Sequence, residues 1–230
     1  MKDLILAFSI FSNIWYFCKG IKNSPMKYTL CYFPFVGTVI GIILYFICIF
    51  SVCIGINRYV TGVAALIITA LYMGRVYYKP VFEILGKVGF VLDLMFAVVI
   101  WAVFSSENMI GISIACGIFT LSRVLAVLFI YENSSLGEGI FKELTCKSRK
   151  GVTSVITVVW LMGIVAFMEM QSIVCFFIIF FTGVLFYILL YYGVKKKGYF
   201  GDDHINFYVM VFETVVFIEI IALVYKGVLQ

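Results

Sequence analysis

The chain has 230 residues, 64% of them hydrophobic, 18% aromatic and only 13% charged, with a net charge of +5. Soluble domains are about half apolar and about a quarter charged, and a domain of this length keeps much of its surface wet. The composition therefore excludes an ordinary water-soluble fold and predicts a chain dissolved mostly in lipid. No nucleic-acid motif is present.

The chain begins with Lys2 and a short apolar run, Leu4–Phe17, which is too short to span a bilayer comfortably. Cys18-Lys19-Gly20-Ile21-Lys22 follows in place of a small-residue cleavage site, so a signal peptide is not expected. Residues 1–20 read as an interfacial or re-entrant helix. Apolar runs of spanning length then lie near 33–56, 60–74, 88–104, 109–131, 151–168, 172–193 and 205–225. These runs are unbroken, whereas barrel strands alternate apolar and polar residues. The expected fold class is all-α, a polytopic membrane helix bundle of about seven transmembrane helices, with 1–230 forming a single domain.

The connections alternate in charge. Lys19, Lys22 and Lys27 precede the first span. Arg75, Lys79 and Lys87 follow the second, Lys142, Lys147, Arg149 and Lys150 follow the fourth, and Lys195, Lys196 and Lys197 follow the sixth. Thirteen of the seventeen Lys and Arg residues fall in these four segments, while the intervening connections hold Arg58, Glu107 and Glu169. The positive-inside rule predicts a multi-pass protein of the cell membrane with its long basic loops, roughly 74–87, 132–150 and 194–204, in the cytoplasm. Such a face attracts anionic headgroups or an anionic nucleotide-type substrate. The same lysines could equally serve only to set topology.

Four ionisable residues interrupt the apolar runs: Asp93, Arg123, Glu213 and Glu219. Charges at depth are expensive and usually face a partner or a wet cavity. At 1.5 Å per residue, Arg123 and Glu213 each lie roughly 12–14 Å in from the basic end, and Asp93 roughly 8 Å. Arg123 is expected to pair with Glu213 or Asp93, either at the floor of a cavity open to the cytoplasm or as an inert interhelical ion pair. Glu219, nearer mid-membrane, is expected to be protonated.

Two polar connections offer further chemistry. Gly198-Tyr199-Phe200-Gly201-Asp202-Asp203-His204 presents adjacent carboxylates. Asp202 and Asp203 could hold Mg²⁺, or could simply cap the helix that follows. His204 is the only histidine. The 131–150 connection is too long for a simple turn, and Gly137 and Gly139 could let backbone amides approach a phosphate. The seven cysteines form no Cys-x-x-Cys pair and read as small core hydrophobes.

Taken in order, several of these segments resemble the adenosylcobinamide-GDP ribazoletransferase (cobalamin synthase) family. Ala7-Phe8-Ser9-Ile10-Phe11-Ser12 is similar to the family's N-terminal segment, although Asn13-Ile14-Trp15 stands where a Thr-Arg-x-Pro run is usual. Phe33-Pro34-Phe35-Val36-Gly37 followed by Gly41 resembles its Phe-Pro-x-x-Gly-x-x-x-Gly start of the first span. Ser122-Arg123, then Tyr131, Leu136-Gly137 and Phe141, resembles its Ser-Arg span and Gly-Leu-Gly loop. Lys196, Gly198, Gly201-Asp202 and Glu213 resemble its final segment, with Phe200 in place of a threonine.

The resemblance implies a Mg²⁺-dependent transferase that joins α-ribazole, or its 5′-phosphate, to adenosylcobinamide-GDP and releases GMP. It implies Arg123, Asp202 and Glu213 as catalytic residues. Lys142, Arg75, Lys79 and Gly137 would bind substrate, and Asp202 and Asp203 the metal. Corrinoid and nucleotide-type molecules and membrane lipid are the partners implied. The family's His-x-Asp-Gly segment is missing: Met73–Leu85 stands there, with Glu83 as its only carboxylate. That departure points to a second reading, a non-catalytic relative or corrinoid-binding scaffold that has lost the metal site. A third reading is an unrelated small transporter or lipid-modifying protein.

Overall fold

The computed structural model describes residues 2–13 and 26–229, apart from the side chains of Arg75 and Asp202. The described residues are all-helical. A short α1 (Lys2–Phe11) and a 3₁₀ turn (Leu30–Tyr32) precede the long helices α2 (Phe33–Ile54), α3 (Arg58–Leu85), α4 (Lys87–Phe104) and α5 (Met109–Glu132). A second 3₁₀ turn (Ser134–Leu136) and the short α6 (Gly139–Lys147) then lead to α7 (Lys150–Gln171), α8 (Ile173–Lys197) and α9 (Asp202–Tyr225). Among the described residues six helices are long and apolar enough to cross a membrane, or seven when the two arms of the bent α3 are counted as one span. The chain is a polytopic membrane bundle.

Local sequence sets the helix ends. Pro34 stands at the start of α2, where its missing N–H costs nothing. Asn57 and Asn108 cap α3 and α5 by accepting from the amides of Tyr59 (2.9 Å) and Gly111 (2.6 Å). Gly86, at φ +56°, turns the chain from α3 into α4 in a single residue, a conformation that a side chain would strain.

The second span corrects the sequence reading. Its helix does not stop near 74: Val76–Leu85 continues as a second arm, bent by 72° from Arg58–Gly74. Pro80 lies inside the second arm. It withholds an N–H from the carbonyl four residues earlier, that of Val76, and its ring presses on the same group. The expected loop over 74–87 is therefore helix up to Gly86. The 131–150 connection likewise contains α6.

The core is arranged around α5, of whose apolar window 89% is buried inside the protein. Helix α2 lies against it through Gly37 and Gly41. A Cβ at Gly37 would collide with the carbonyl of Phe119 and stand 2.6 Å from Cδ of Arg123, and one at Gly41 would collide with the carbonyl of Cys116. The small-xxx-small spacing thus brings two backbones into close approach, as membrane helices without a hydrophobic driving force require. A Thr38–Thr120 hydroxyl pair (3.1 Å) links the same two helices.

Both ends of the bundle can be followed through their contacts. At one end the Arg149 amide donates to the carbonyl of Lys27 (3.2 Å). There Phe200 N–H also reaches the Leu136 carbonyl (3.0 Å), and Glu138 N–H the Phe200 carbonyl (2.9 Å). Lys79 meets Asp203 (3.9 Å). These links gather the basic connections to one end. The other end holds the Arg58–Glu107 ion pair (2.5 Å). Helix α1, roughly 15 Å long and so too short to cross, packs at the basic end. Its Phe11 stacks on Phe33 with ring centroids 3.5 Å apart and faces Phe141 at 5.9 Å. The rest of the expected 1–20 segment lies outside the described residues.

Candidate functional site

Of the ionisable residues expected at depth, Arg123 and Glu213 meet. Helix α5 presents Ser122 and Arg123, α9 presents Glu213, and the second arm of α3 presents Tyr77. The Arg123 guanidinium pairs with the Glu213 carboxylate, and the two side chains are 1% and 0% exposed. Arg123 Nη1 also donates to the Phe119 carbonyl and to Ser122 Oγ, both at 2.7 Å, and Nη2 donates to the Tyr77 hydroxyl. Both hydroxyls pass the interaction on. Ser122 donates to Glu213 Oε1 and Tyr77 to Glu213 Oε2, each at 2.6 Å. The rings of Tyr77 and Phe119 cover the guanidinium at 5.8 and 5.7 Å, close enough for cation–π attraction.

This is a closed network. A charge pair taken out of water persists when its remaining donors and acceptors are satisfied, and here two hydroxyls and a carbonyl do so. The expectation of an open polar cavity above the pair is corrected. Beside Ser122 there is a cavity of only about 30 Å³, walled by apolar side chains such as Leu125, Phe186 and Phe212. An isolated pocket of that size has room for about one water. Arg123 cannot reach an outside phosphate unless α3, α5 and α9 separate.

Asp93 is not the partner of Arg123. It is buried on α4, and neither of its carboxylate oxygens has a hydrogen-bond partner among the described residues. Glu219 accepts from Thr182 (2.7 Å), and its other oxygen is buried without a hydrogen-bond partner among the described residues.

The remaining candidates lie at the basic end, roughly 16 Å along α9 from Glu213. Lys79 stands beside two carboxylates, Glu83 at 3.5 Å and Asp203 at 3.9 Å. His204 accepts from Lys197 (2.7 Å). Lys142 is exposed on α6. Gly137 pairs with Phe200 in an isolated bridge, and a Cβ there would sit 3.3 Å from the Phe200 ring. The space that the glycine leaves is taken by an aromatic ring rather than left open to a phosphate. The side chains of Arg75 and Asp202 lie outside the described residues. The structure thus unites Arg123 with Glu213, and Lys79 with Asp203, but holds the two groups apart.

The fit to Mg²⁺ is poor on the donors described. Mg²⁺ takes near-octahedral oxygen ligands from one or two carboxylates, phosphate and water. Here Glu83 and Asp203 meet each other with the Lys79 ammonium beside both, and among the described residues no three His, Cys, Asp or Glu side chains gather.

Sequence reasoning missed Tyr77, the residue that brings α3 into the network. The signal was present: Met73, Tyr77 and Val81 are all buried and follow the i, i+4, i+8 spacing of one helix face. The surrounding Arg, Lys and Pro residues disguised that face as a loop.

No family model, curated protein or solved structure matches this chain.

Proposed function

We propose that this chain is a membrane-embedded relative of adenosylcobinamide-GDP ribazoletransferase, joining α-ribazole or its 5′-phosphate to adenosylcobinamide-GDP with release of GMP. One observation carries the reading: the four segments that bear the resemblance, far apart in sequence, pack on one another. Phe11 stacks on Phe33 and faces Phe141. Phe141 lies 6.3 Å from Phe200. Gly37 abuts Arg123, and Arg123 pairs with Glu213.

In this reading the reacting groups meet at the basic end, which the positive-inside rule assigns to the cytoplasm of a cell-membrane protein. Phosphoryl transfer of this kind depends on positioning and on neutralising charge on the phosphates. Lys142 and Lys79 supply cationic donors there, and Lys79 is held by Glu83 and Asp203. Arg123 and Glu213 act as positioning residues: by tying α3, α5 and α9 together they fix the spacing of the ends that carry Lys79 and Asp203.

The test is complementation of a strain lacking cobalamin synthase. Growth that requires the chain, and that drops more than tenfold with Lys142→Ala at unchanged protein level, supports the transferase. Failure to complement at verified membrane expression overturns it.

The sealing of Arg123 and Glu213 favours a second reading, a corrinoid-binding scaffold without catalysis. In that case purified protein retains cobinamide but releases no GMP.

A further inference from the structure

Away from the buried network, a second feature lies at the basic end. A crevice of about 490 Å³ runs between the start of α7 and the chain leading into α2. One wall is Val152, Ile156 and Trp160, a single i, i+4, i+8 stripe on α7. The facing wall is Tyr28, Tyr32 and Phe35, from the chain before the 3₁₀ turn, the turn itself and the first residues of α2. Leu4 of α1 closes the side. From Val152 to Trp160 the slot reaches roughly 12 Å along the helix axis.

The walls are apolar and aromatic, but the mouth is basic. Tyr28, a wall residue, accepts a hydrogen bond from Arg149 Nη1 (3.4 Å). Lys150 follows, and the carbonyl of Lys27 receives the Arg149 amide. Lys27, Arg149 and Lys150 have no carboxylate partner among the described residues; Lys147 nearby is engaged by Glu143 (3.2 Å). Asp3, on α1, accepts from the backbone amide of Tyr28 (3.2 Å) rather than from these cations. Three uncompensated cations at the mouth of an apolar slot in a membrane bundle match one kind of molecule, an amphiphile with an anionic head and a hydrocarbon tail.

We propose that this crevice is a binding site for an anionic phospholipid of the surrounding leaflet, with its phosphate at Arg149, Lys150 and Lys27 and an acyl chain between α7 and the start of α2. Basic pockets beside transmembrane helices bind anionic headgroups, and each nearby Lys or Arg strengthens the attraction. A zwitterionic lipid would fill the slot with its tail but gain little at the mouth. The crevice is formed by α1, α2 and α7 and involves none of the residues assigned to the transferase, so the two ideas fail separately.

Trp160 provides the probe. The chain has three tryptophans, and Trp15→Phe with Trp101→Phe leaves Trp160 alone. This protein is reconstituted in phosphatidylcholine vesicles containing a small fraction of either brominated phosphatidylglycerol or brominated phosphatidylcholine, and Trp160 quenching is titrated. The expected result is a preference for the brominated anionic lipid on the order of tenfold in the fraction needed for half-quenching. In Arg149→Gln/Lys150→Gln the preference falls to near unity, while Arg58→Gln at the opposite end leaves it unchanged. Equal quenching by both lipids in the parent protein, or a preference that survives loss of both cations, overturns the proposal. If the tryptophan background does not fold, native mass spectrometry of the wild-type protein from vesicles of equal phosphatidylglycerol and phosphatidylcholine decides. Retained phosphatidylglycerol, lost in the double variant, supports the site, and no enrichment overturns it.

Discussion

Helices α5 and α8 are both strongly apolar, yet they occupy opposite surroundings. In α5, 89% of the apolar window is buried inside the protein; in α8 the share is 22%, and in α7 it is 17%. Apolarity by itself only says that a helix avoids water. Small and hydroxyl-bearing residues let other helices come close. The faces of α5 carry Gly111, Ser113, Ala115, Gly117 and Ser122, all buried; side chains of α9 pack onto Gly111 and side chains of α7 onto Gly117, while α2 brings its glycines against the α5 backbone at Cys116 and Phe119. On α8, large side chains such as Phe177, Phe181, Leu185 and Ile188 point outward and are exposed on the bundle surface. The buried helix also carries the buried arginine. A guanidinium is tolerated where neighbouring helices can supply a carboxylate and hydroxyls, and not where the neighbour is hydrocarbon.

The largest break of this contrast comes from Glu213→Leu, which strands the Arg123 charge at the centre. Removing one partner of a buried pair costs about 3–5 kcal/mol. The variant is expected to lose most of its monodisperse peak in detergent size-exclusion chromatography. Arg123→Met added to Glu213→Leu should recover much of that peak, because a neutral pair leaves no charge unpaired. If the double variant is no better than the single one, the pair is not the unit that holds α5 to α9.

Gly37→Val attacks the close approach of α2 and α5. Overpacking costs about 1–3 kcal/mol, and the upper end is expected because the added carbon meets backbone at Phe119. Thermal denaturation in detergent measures it. Tyr77→Phe keeps the ring but leaves Glu213 short of a donor and Arg123 short of an acceptor, at about 1–2 kcal/mol by the same assay. An unchanged midpoint would show that the second arm of α3 is not fastened by this hydroxyl. The smallest effect belongs to the outer helix: Phe181→Leu on α8 should shift stability by less than about 0.5 kcal/mol. A shift as large as that of Gly37→Val would mean that this face of α8 meets protein, not lipid.

Much of the architecture could be read before any coordinates, because hydropathy and charge are properties of single side chains facing lipid or water. The apolar runs located the long helices, and the lysine-bearing segments marked the end at which they gather. The same logic singled out Arg123, Glu213, Asp93 and Glu219 as ions at unusual depth. The run at 73–85 defeated it. Arg75, Lys79 and Pro80 there look like a turn, yet the buried Met73, Tyr77 and Val81 form one face of a bent helix.

Sequence alone therefore determined that this protein is a bundle of apolar helices with its cations collected at one end and with several charges committed to its interior. Only the tertiary structure decided that Arg123 faces Glu213, 90 residues away, while Asp93 has no hydrogen-bond partner among the described residues. It also showed that the resulting pair is sealed rather than open. Depth follows from counting residues along one helix, but a partner is chosen by how helices rotate and pack. That packing depends on Gly37 meeting Phe119 and on the bend of α3 after Gly74, beyond which Tyr77 reaches the network, and neither is visible along a single helix.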